Sequence, residues 1–293
     1  MKIVKIKGGL GNQLFQYSFA SLLQEITPDD VKIDMSSFSG SLDDPIRKPR
    51  LLKMNVTIPI AGDNEIRSLC MLKHSGNTLT FKYRALIAIE DMMNRRYYRE
   101  KNRAYIEPES IAKHSYFDGY WQSWRYVDQV WDTVRSELVP NYEINEATSR
   151  MIERVLDENS IFIGIRRGDY SQRANHYGSF GNTYYQKAMD YITDHVESPV
   201  FYIFSNDISW VKESIDFSNR TVFFREPEDV VDDFEDLLIM AACKHSIIIN
   251  STYHWWGARL NEYPGKIVVA PKNWFFDDKP IDIVPPRWIR IEE

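Results

Sequence analysis

The sequence predicts an α/β protein built on parallel sheets and divided into two domains. Strand-like and helix-like patterns alternate in both halves of the chain, which is the mark of α/β layers. The 293 residues suffice for one large domain or two modest ones, and the repeated alternation favours two. In the second half an apolar run, Ile161-Phe-Ile-Gly-Ile165, passes straight into Arg166 and Arg167. A buried strand that ends in charge at its carboxyl edge is what an open parallel sheet presents to a ligand.

In the first half, Lys2 to Lys7 reads as a strand and Gly8 to Gly11 as a turn. Phe15, Phe19, Leu22, Leu23 and Ile26 then fall at helical spacing, and Val31 to Asp34 is the next strand. Residues 40–115 are poorly patterned. The basic run Arg95-Arg96-Tyr97-Tyr98-Arg99, like Arg84 before it, reads as a solvated helix face rather than a membrane contact. From Ser123, the positions Trp124, Val127, Trp131, Val134 and Leu138 mark one helix ending at Pro140.

The second half is cleaner. A helix near Glu146 to Leu156 precedes the Ile161 strand, and a helix from Thr183 to His195 leads to the strand Val200 to Ser205. Asp207 opens another helix, and Thr221 to Phe224 is a further strand. Asp232 to Lys244 is helical, with Phe234, Leu237, Leu238 and Ala241 on one face. Ser246 to Asn250 is a strand running into Ser251 and Thr252. Such a unit is a small doubly wound domain, which puts the linker near Pro140 to Glu146 and the domains at 1–142 and 143–293. The last residues are expected to pack back on the first domain.

Composition narrows the function. With 43% hydrophobic and 27% charged residues the chain is an ordinary globular one, and its net charge of −6 argues against a nucleic-acid binder. The two cysteines, Cys70 and Cys243, cannot build a disulfide framework or a metal cage and suit a reducing compartment. No apolar leader and no long apolar run is present, so the expectation is a cytoplasmic chain without a transmembrane segment, peripheral membrane association remaining open. Aromatics make up 14%, enough to line a sugar site by stacking as well as to fill cores. There is no D-x-D, no H-E-x-x-H and no G-x-x-x-x-G-K-[ST], and the six histidines are scattered. A diphosphate handled here is therefore expected to be neutralised by arginine and helix N-termini, without metal ligands.

Arginine's planar fork matches phosphate oxygens, so Arg166 and Arg167 point to an anion; the alternative is an ion-pair network with carboxylates such as Asp169. The Gly8-Gly-Leu-Gly11-Asn-Gln13 stretch lets backbone approach a ligand at a helix N-terminus. It is half of a dinucleotide fingerprint, with Leu14 in place of the third glycine and Asp34 imitating the ribose-binding acid; a structural tight turn fits equally well. Asn250, Ser251 and Thr252 offer a second anion cradle, with N-capping as the alternative. Asp236, beside Glu235, either complements a helix dipole or accepts two hydrogen bonds from a planar base such as guanine. Ser205 and Asp207 follow the same strand-then-polar-turn logic, with capping by Asp207 as the alternative.

Taken in order, Gly8-Gly-Leu-Gly-Asn-Gln-Leu-Phe-Gln-Tyr17, Tyr120-Trp-Gln-Ser123, Ile165-Arg-Arg-Gly-Asp-Tyr170, Phe204-Ser-Asn-Asp207, Asn250-Ser-Thr-Tyr-His-Trp-Trp256 and Leu260-Asn261 resemble the α1,2-fucosyltransferases of glycosyltransferase family 11. The resemblance implies a GT-B-like fold, with two Rossmann-like domains facing across a cleft. It implies an inverting, metal-independent transfer of fucose from GDP-β-L-fucose to the 2-hydroxyl of a terminal β-galactoside, whether lactose, N-acetyllactosamine or a lipid-linked polysaccharide unit. By matching position, Arg166 would hold the β-phosphate, with Arg167 structural or secondary. Asp236 would read guanine, Thr252 would place its hydroxyl on the β-phosphate, and Asn12 would sit by the reaction centre.

The C-terminal half would hold GDP through Arg166, Ser251, Thr252 and Asp236, while Asn12 and Gln13 would present the acceptor. Gly9, Gly11, Gln13, Arg167, Ser205, Asp207 and Asn250 complete the expected donor set. Asp169 is the remaining catalytic candidate, as a base or as a residue that orients the arginines. Two departures stand out: Gly164 occupies a position where the family motif often has His, which removes a base or ribose contact, and Asn206 stands where Asp is usual. Two other classes stay open, a nucleotide-dependent oxidoreductase using Gly9, Gly11 and Asp34, and a catalytically silent carbohydrate-binding protein. The first predicts stabilisation by NAD and none by GDP; the second predicts no GDP release from GDP-fucose.

Overall fold

The computed structural model describes residues 1–38, 48–69, 96–167, 180–230, 232–275 and 281–292. The chain forms two compact units, Met1–Asn141 with Lys279–Ile283, and Tyr142–Asp278 with Val284–Glu293.

The first unit contains β1 (Lys2–Lys5), α1 (Leu10–Ile26), β2 (Val31–Asp34), α2 (Asp63–Leu69), β3 (Tyr97–Arg99), α3 (Pro108–Ile111), β4 (Tyr116–Asp118), α4 (Trp124–Gln129) and α5 (Trp131–Glu137). Its sheet runs β2-β1-β4-β3, parallel throughout. Helix α1 is buried over most of its length, and Phe19 stacks on Trp121 with ring centroids 3.9 Å apart. Two expectations are corrected here. The helix from Ser123 breaks at Val130, whose φ of −119° and ψ of 20° leave the helical region, although Ser123 does cap its start by accepting from the amide of Arg125 at 3.2 Å. The stretch read as a solvated helix face is strand β3 at Tyr97–Arg99, because Tyr97 is buried and donates its hydroxyl to Asp118 Oδ2 at 3.0 Å. Arg84 and Arg95 lie outside the described residues.

The second unit contains α6 (Glu146–Asp157), β5 (Ser160–Ile165), α7 (Asn182–His195), β6 (Val200–Ser205), α8 (Ile208–Ser214), β7 (Thr221–Phe224), α9 (Asp233–Ala242), β8 (His245–Ile247), α10 (Thr252–Leu260), β9 (Val268–Pro271) and β10 (Ile289–Ile291). Every residue of β5 is buried, as a central parallel strand covered on both faces must be. The sheet runs β10-β9-β8-β5-β6-β7, all parallel, which counted in chain order from β5 is the 3-2-1-4-5-6 order of a doubly wound dinucleotide-binding fold. Strand order reverses between β5 and β8.

The late residues divide between the units, Lys279–Ile283 grouping with the first and the final strand with the second. Ile289 pairs with Val269 and packs on the core built around Ile161, Ile163, Met189 and Ile192, so residues 284–293 belong to the second unit. The free edge of β9 supplies the backbone partners that draw this segment in.

Candidate functional site

Ligands of open α/β sheets bind outside the carboxyl ends of the strands where the order reverses. In the second unit that place is the edge formed by the ends of β5 and β8, and Arg166 is the first residue beyond β5. A cavity of about 610 Å³ opens there, with Arg166, Ser205, Asp207, Asp236, Tyr253 and His254 among the residues of its wall. The sequence-predicted Arg166, Ser205, Asp207 and Asp236 are thus brought together.

The two adjacent arginines have different surroundings. The amide of Arg167 donates to Asn206 Oδ1 at 2.9 Å, its Nε lies 3.8 Å from Asp207 Oδ2, and its guanidinium covers the Trp210 ring at 3.8 Å. Arg167 is therefore tied to the start of α8, whereas Arg166 is on the cavity wall. Asp207 caps α8 by accepting from the amide of Trp210 at 3.1 Å, and Ser205 Oγ accepts from the amide of Asp207 at 3.0 Å. The capping alternative for Asp207 is the arrangement found.

Asp236 sits in the first turn of α9, behind the N-cap Asp232. Its Oδ1 accepts from Nε of the buried Arg225 at 3.0 Å. Burial pushes the Asp236 carboxyl up to about 6 against the opposing pull of Arg225, with Asp233 and Asp232 adding to the rise. Its neighbour Glu235 is spent on the fold, accepting from the Thr148 hydroxyl and from the amide of Asn145 at 3.3 Å.

His254 was not foreseen from the sequence. It is the third residue of α10, buried, and a member of the cavity wall. Its ring lies over the backbone of β5, where a β-carbon placed on Gly164 would stand 2.4 Å from His254 Cγ. Gly164 therefore carries no imidazole of its own, yet one occupies the space beside it. Burial and, secondarily, the charge of Arg166 push His254 down to about 3, so the ring is neutral at physiological pH. The only signal available beforehand was a glycine inside an otherwise apolar strand, a mark of close approach by another group.

The remaining residues of this edge are not on the cavity wall. Asn250 donates from Nδ2 to the carbonyl of Trp274 at 3.0 Å. Ser251 is the N-cap of α10 but makes no side-chain capping bond, and Thr252 is the first helical residue. Asp169 lies outside the described residues.

In the first unit the glycine turn follows β1. Gly8, with φ of +81°, is the residue that needs glycine's freedom, while Gly9 is an extended N-cap and Gly11 is buried within α1. Asn12 accepts at Oδ1 from Gln122 Nε2 at 2.8 Å, which joins the turn to the segment after β4. Gln13 departs from its expected role. It is fully buried, donates to the carbonyls of Gly8 at 2.9 Å and Lys48 at 2.7 Å, and accepts from the amide of Leu51 at 3.0 Å, so its amide is consumed in holding the turn to the chain. Asp34 is likewise occupied, accepting from the Tyr116 hydroxyl at 2.5 Å and the amide of Ser36 at 2.8 Å. That removes the ribose contact on which the oxidoreductase reading relies.

Among the described residues no cluster of three or more His, Cys, Asp or Glu is placed to hold a metal ion, and no helix is long and apolar enough to cross a membrane.

The family model described as glycosyl transferase family 11 matches residues 1–292. The chain is 28% identical to the O-antigen biosynthesis glycosyltransferase WbnK of Escherichia coli, over 98% of this chain and 99% of that protein. It is 26% identical to an alpha-1,2-colitosyltransferase of Escherichia coli, over 99% of each. A galactoside alpha-(1,2)-fucosyltransferase 1 of Ateles belzebuth is 28% identical over 59% of this chain and 51% of its own length.

Proposed function

Because the chain belongs to glycosyltransferase family 11, we propose that it transfers L-fucose from GDP-β-L-fucose to the 2-hydroxyl of a terminal β-galactoside, inverting the anomeric centre and requiring no metal. The observation that carries this reading is the placement of Arg166 and Asp236 on one cavity at the switch point of the second sheet. A guanidinium suits the diphosphate, and a carboxylate with one oxygen held by Arg225 keeps a second oxygen that suits the N–H edge of guanine. The fucosyl and colitosyl transferases among the relatives support transfer to a 2-hydroxyl. The family also displaces the oxidoreductase reading.

The reaction is a single in-line displacement. The acceptor 2-hydroxyl oxygen bonds to the anomeric carbon as the bond to the β-phosphate oxygen breaks, the hydroxyl proton passes to solvent water, and GDP departs with the electron pair. Arg166 stabilises the charge that grows on the leaving phosphate, and preorganised contacts of this kind are commonly worth about 3–4 kcal/mol. Asn12, held by Gln122, serves the acceptor side. The cysteine usage suits work in the cytoplasm, with lipid-linked glycans as reachable acceptors. Incubation with GDP-fucose and lactose or N-acetyllactosamine, followed by mass and linkage analysis, tests the reading: an α1,2-fucosylated product is expected, and absence of transfer to any β-galactoside refutes it.

A further inference from the structure

His254 is a cavity-wall residue to which the proposed reaction gives no part. The imidazole lies on the backbone of β5, and its Cγ and Nδ1 stand 2.4 and 2.5 Å from where a β-carbon on Gly164 would be, closer than any real β-carbon contact. The chain thus gives up a side chain on a central strand to admit this ring. What it admits is polar. Nδ1 is buried and has no hydrogen-bond partner among the described residues, an arrangement that native structures rarely keep without a purpose. The ring sits on the same wall as Arg166, with Asp236, Asp233, Asp207 and Glu226 as the other charged groups of the cavity.

We propose that His254 is a donor-binding residue, a neutral imidazole that hydrogen-bonds the nucleotide part of the sugar donor beside Arg166. This rests on the reading of the cavity as the GDP-sugar site. Charge is already supplied by Arg166, and a ring held at about 3 is neither a proton donor nor a competent base near neutrality. Its use is as a fixed donor and acceptor whose strength does not change with pH. The contribution therefore belongs to donor affinity rather than to the chemical step.

Calorimetry with GDP on the wild-type protein and His254→Phe tests this. Phenylalanine keeps a flat ring over Gly164 and removes both nitrogens. The dissociation constant for GDP is expected to rise about tenfold, the usual consequence of one lost hydrogen bond with a partner left unpaired, while turnover at saturating GDP-fucose stays within about twofold. Unchanged GDP affinity, or a fall confined to turnover, overturns the assignment. A second measurement uses the wild-type protein alone. Imidazole ¹⁵N shifts, with the His254 signal identified by its loss in His254→Gln, should show a neutral ring whose nitrogens shift when GDP is added, and an unmoved signal counts against the contact. Wild-type protein that binds no GDP takes down the reading of the cavity and this inference together. Wild-type binding matched by equal binding in His254→Phe takes down the inference alone.

Discussion

Nε of Arg225 stands 3.0 Å from Oδ1 of Asp236, and both side chains are buried in the second unit. Burial nevertheless leaves the Asp236 carboxyl raised to about 6, above its ordinary 3.8. Accepting two hydrogen bonds from guanine requires the ionised form, so donor affinity should be full above that value and fall as pH drops through about 6. Calorimetry from pH 5 to 8 reads this, with GDP-fucose as the ligand because a terminal phosphate monoester itself titrates at about pH 6. Asp236→Asn should bind more weakly at pH 7.5 and lose the pH dependence. A wild-type affinity that is flat across pH 6 contradicts the assignment.

Arg166→Lys separates a phosphate clamp from a member of a charge network. Lysine keeps the charge and loses the planar fork. Turnover at saturating GDP-fucose should fall on the order of 10²-fold or more, as the loss of a transition-state contact predicts. If Arg166 merely joins an exposed network, the loss is a fraction of a kcal/mol. Steady-state kinetics with a melting curve decide, and turnover within about threefold of wild type would sink the clamp.

Asn12 and Gln13 are adjacent but should behave differently. Gln13→Ala removes three hydrogen bonds from a fully buried side chain and should cost about 2–4 kcal/mol of stability by denaturant unfolding. Asn12→Ala should leave GDP affinity nearly intact while depressing turnover. If turnover in Asn12→Ala falls only in step with the melting temperature, Asn12 too belongs to the turn.

Activity should survive EDTA, since Arg166 and the N-terminal end of α10 carry the expected neutralisation of the diphosphate. Loss of transfer that Mn²⁺ or Mg²⁺ restores, measured by GDP release, overturns the metal-free mechanism.

Much of the architecture was legible in the sequence. Val31–Asp34, Val200–Ser205 and Thr221–Phe224 are strands at the residues expected; Val200–Ser205, covered on both faces, needs a local apolar run that survives as pattern, while Val31–Asp34 alternates and Thr221–Phe224 is a partly exposed edge strand rich in β-formers. Strands β3, β4 and β10 left little such trace, whereas β9 has an apolar run of this kind, Ile267-Val-Val-Ala270, that went unassigned. Tyr97-Tyr98-Arg99 and Tyr116-Phe117-Asp118 are three residues each with mixed polarity, and they are strands because neighbouring backbone offers a ladder and because Tyr97 and Asp118 satisfy one another. That is tertiary information.

The site divides in the same way. Arg166 and Asp236 were marked by sequence alone, since each is a charged residue set at the end of a strand or the opening of a helix, where local pattern already implies a ligand-facing edge. Which polar groups remain for a ligand was decided only by the fold. Gln13 and Asp34 sat in motifs that imitate a nucleotide site, yet their hydrogen bonds are consumed by Gly8, Lys48, Leu51, Ser36 and Tyr116. His254 stood within the Asn250–Trp256 motif with no role attached to it, and its position follows from a glycine on a different element whose missing side chain leaves the space for its ring. Sequence determines what each segment can bury, because that depends on near neighbours in the chain; the partners of a buried polar group come from distant segments, and only packing brings them within hydrogen-bonding distance.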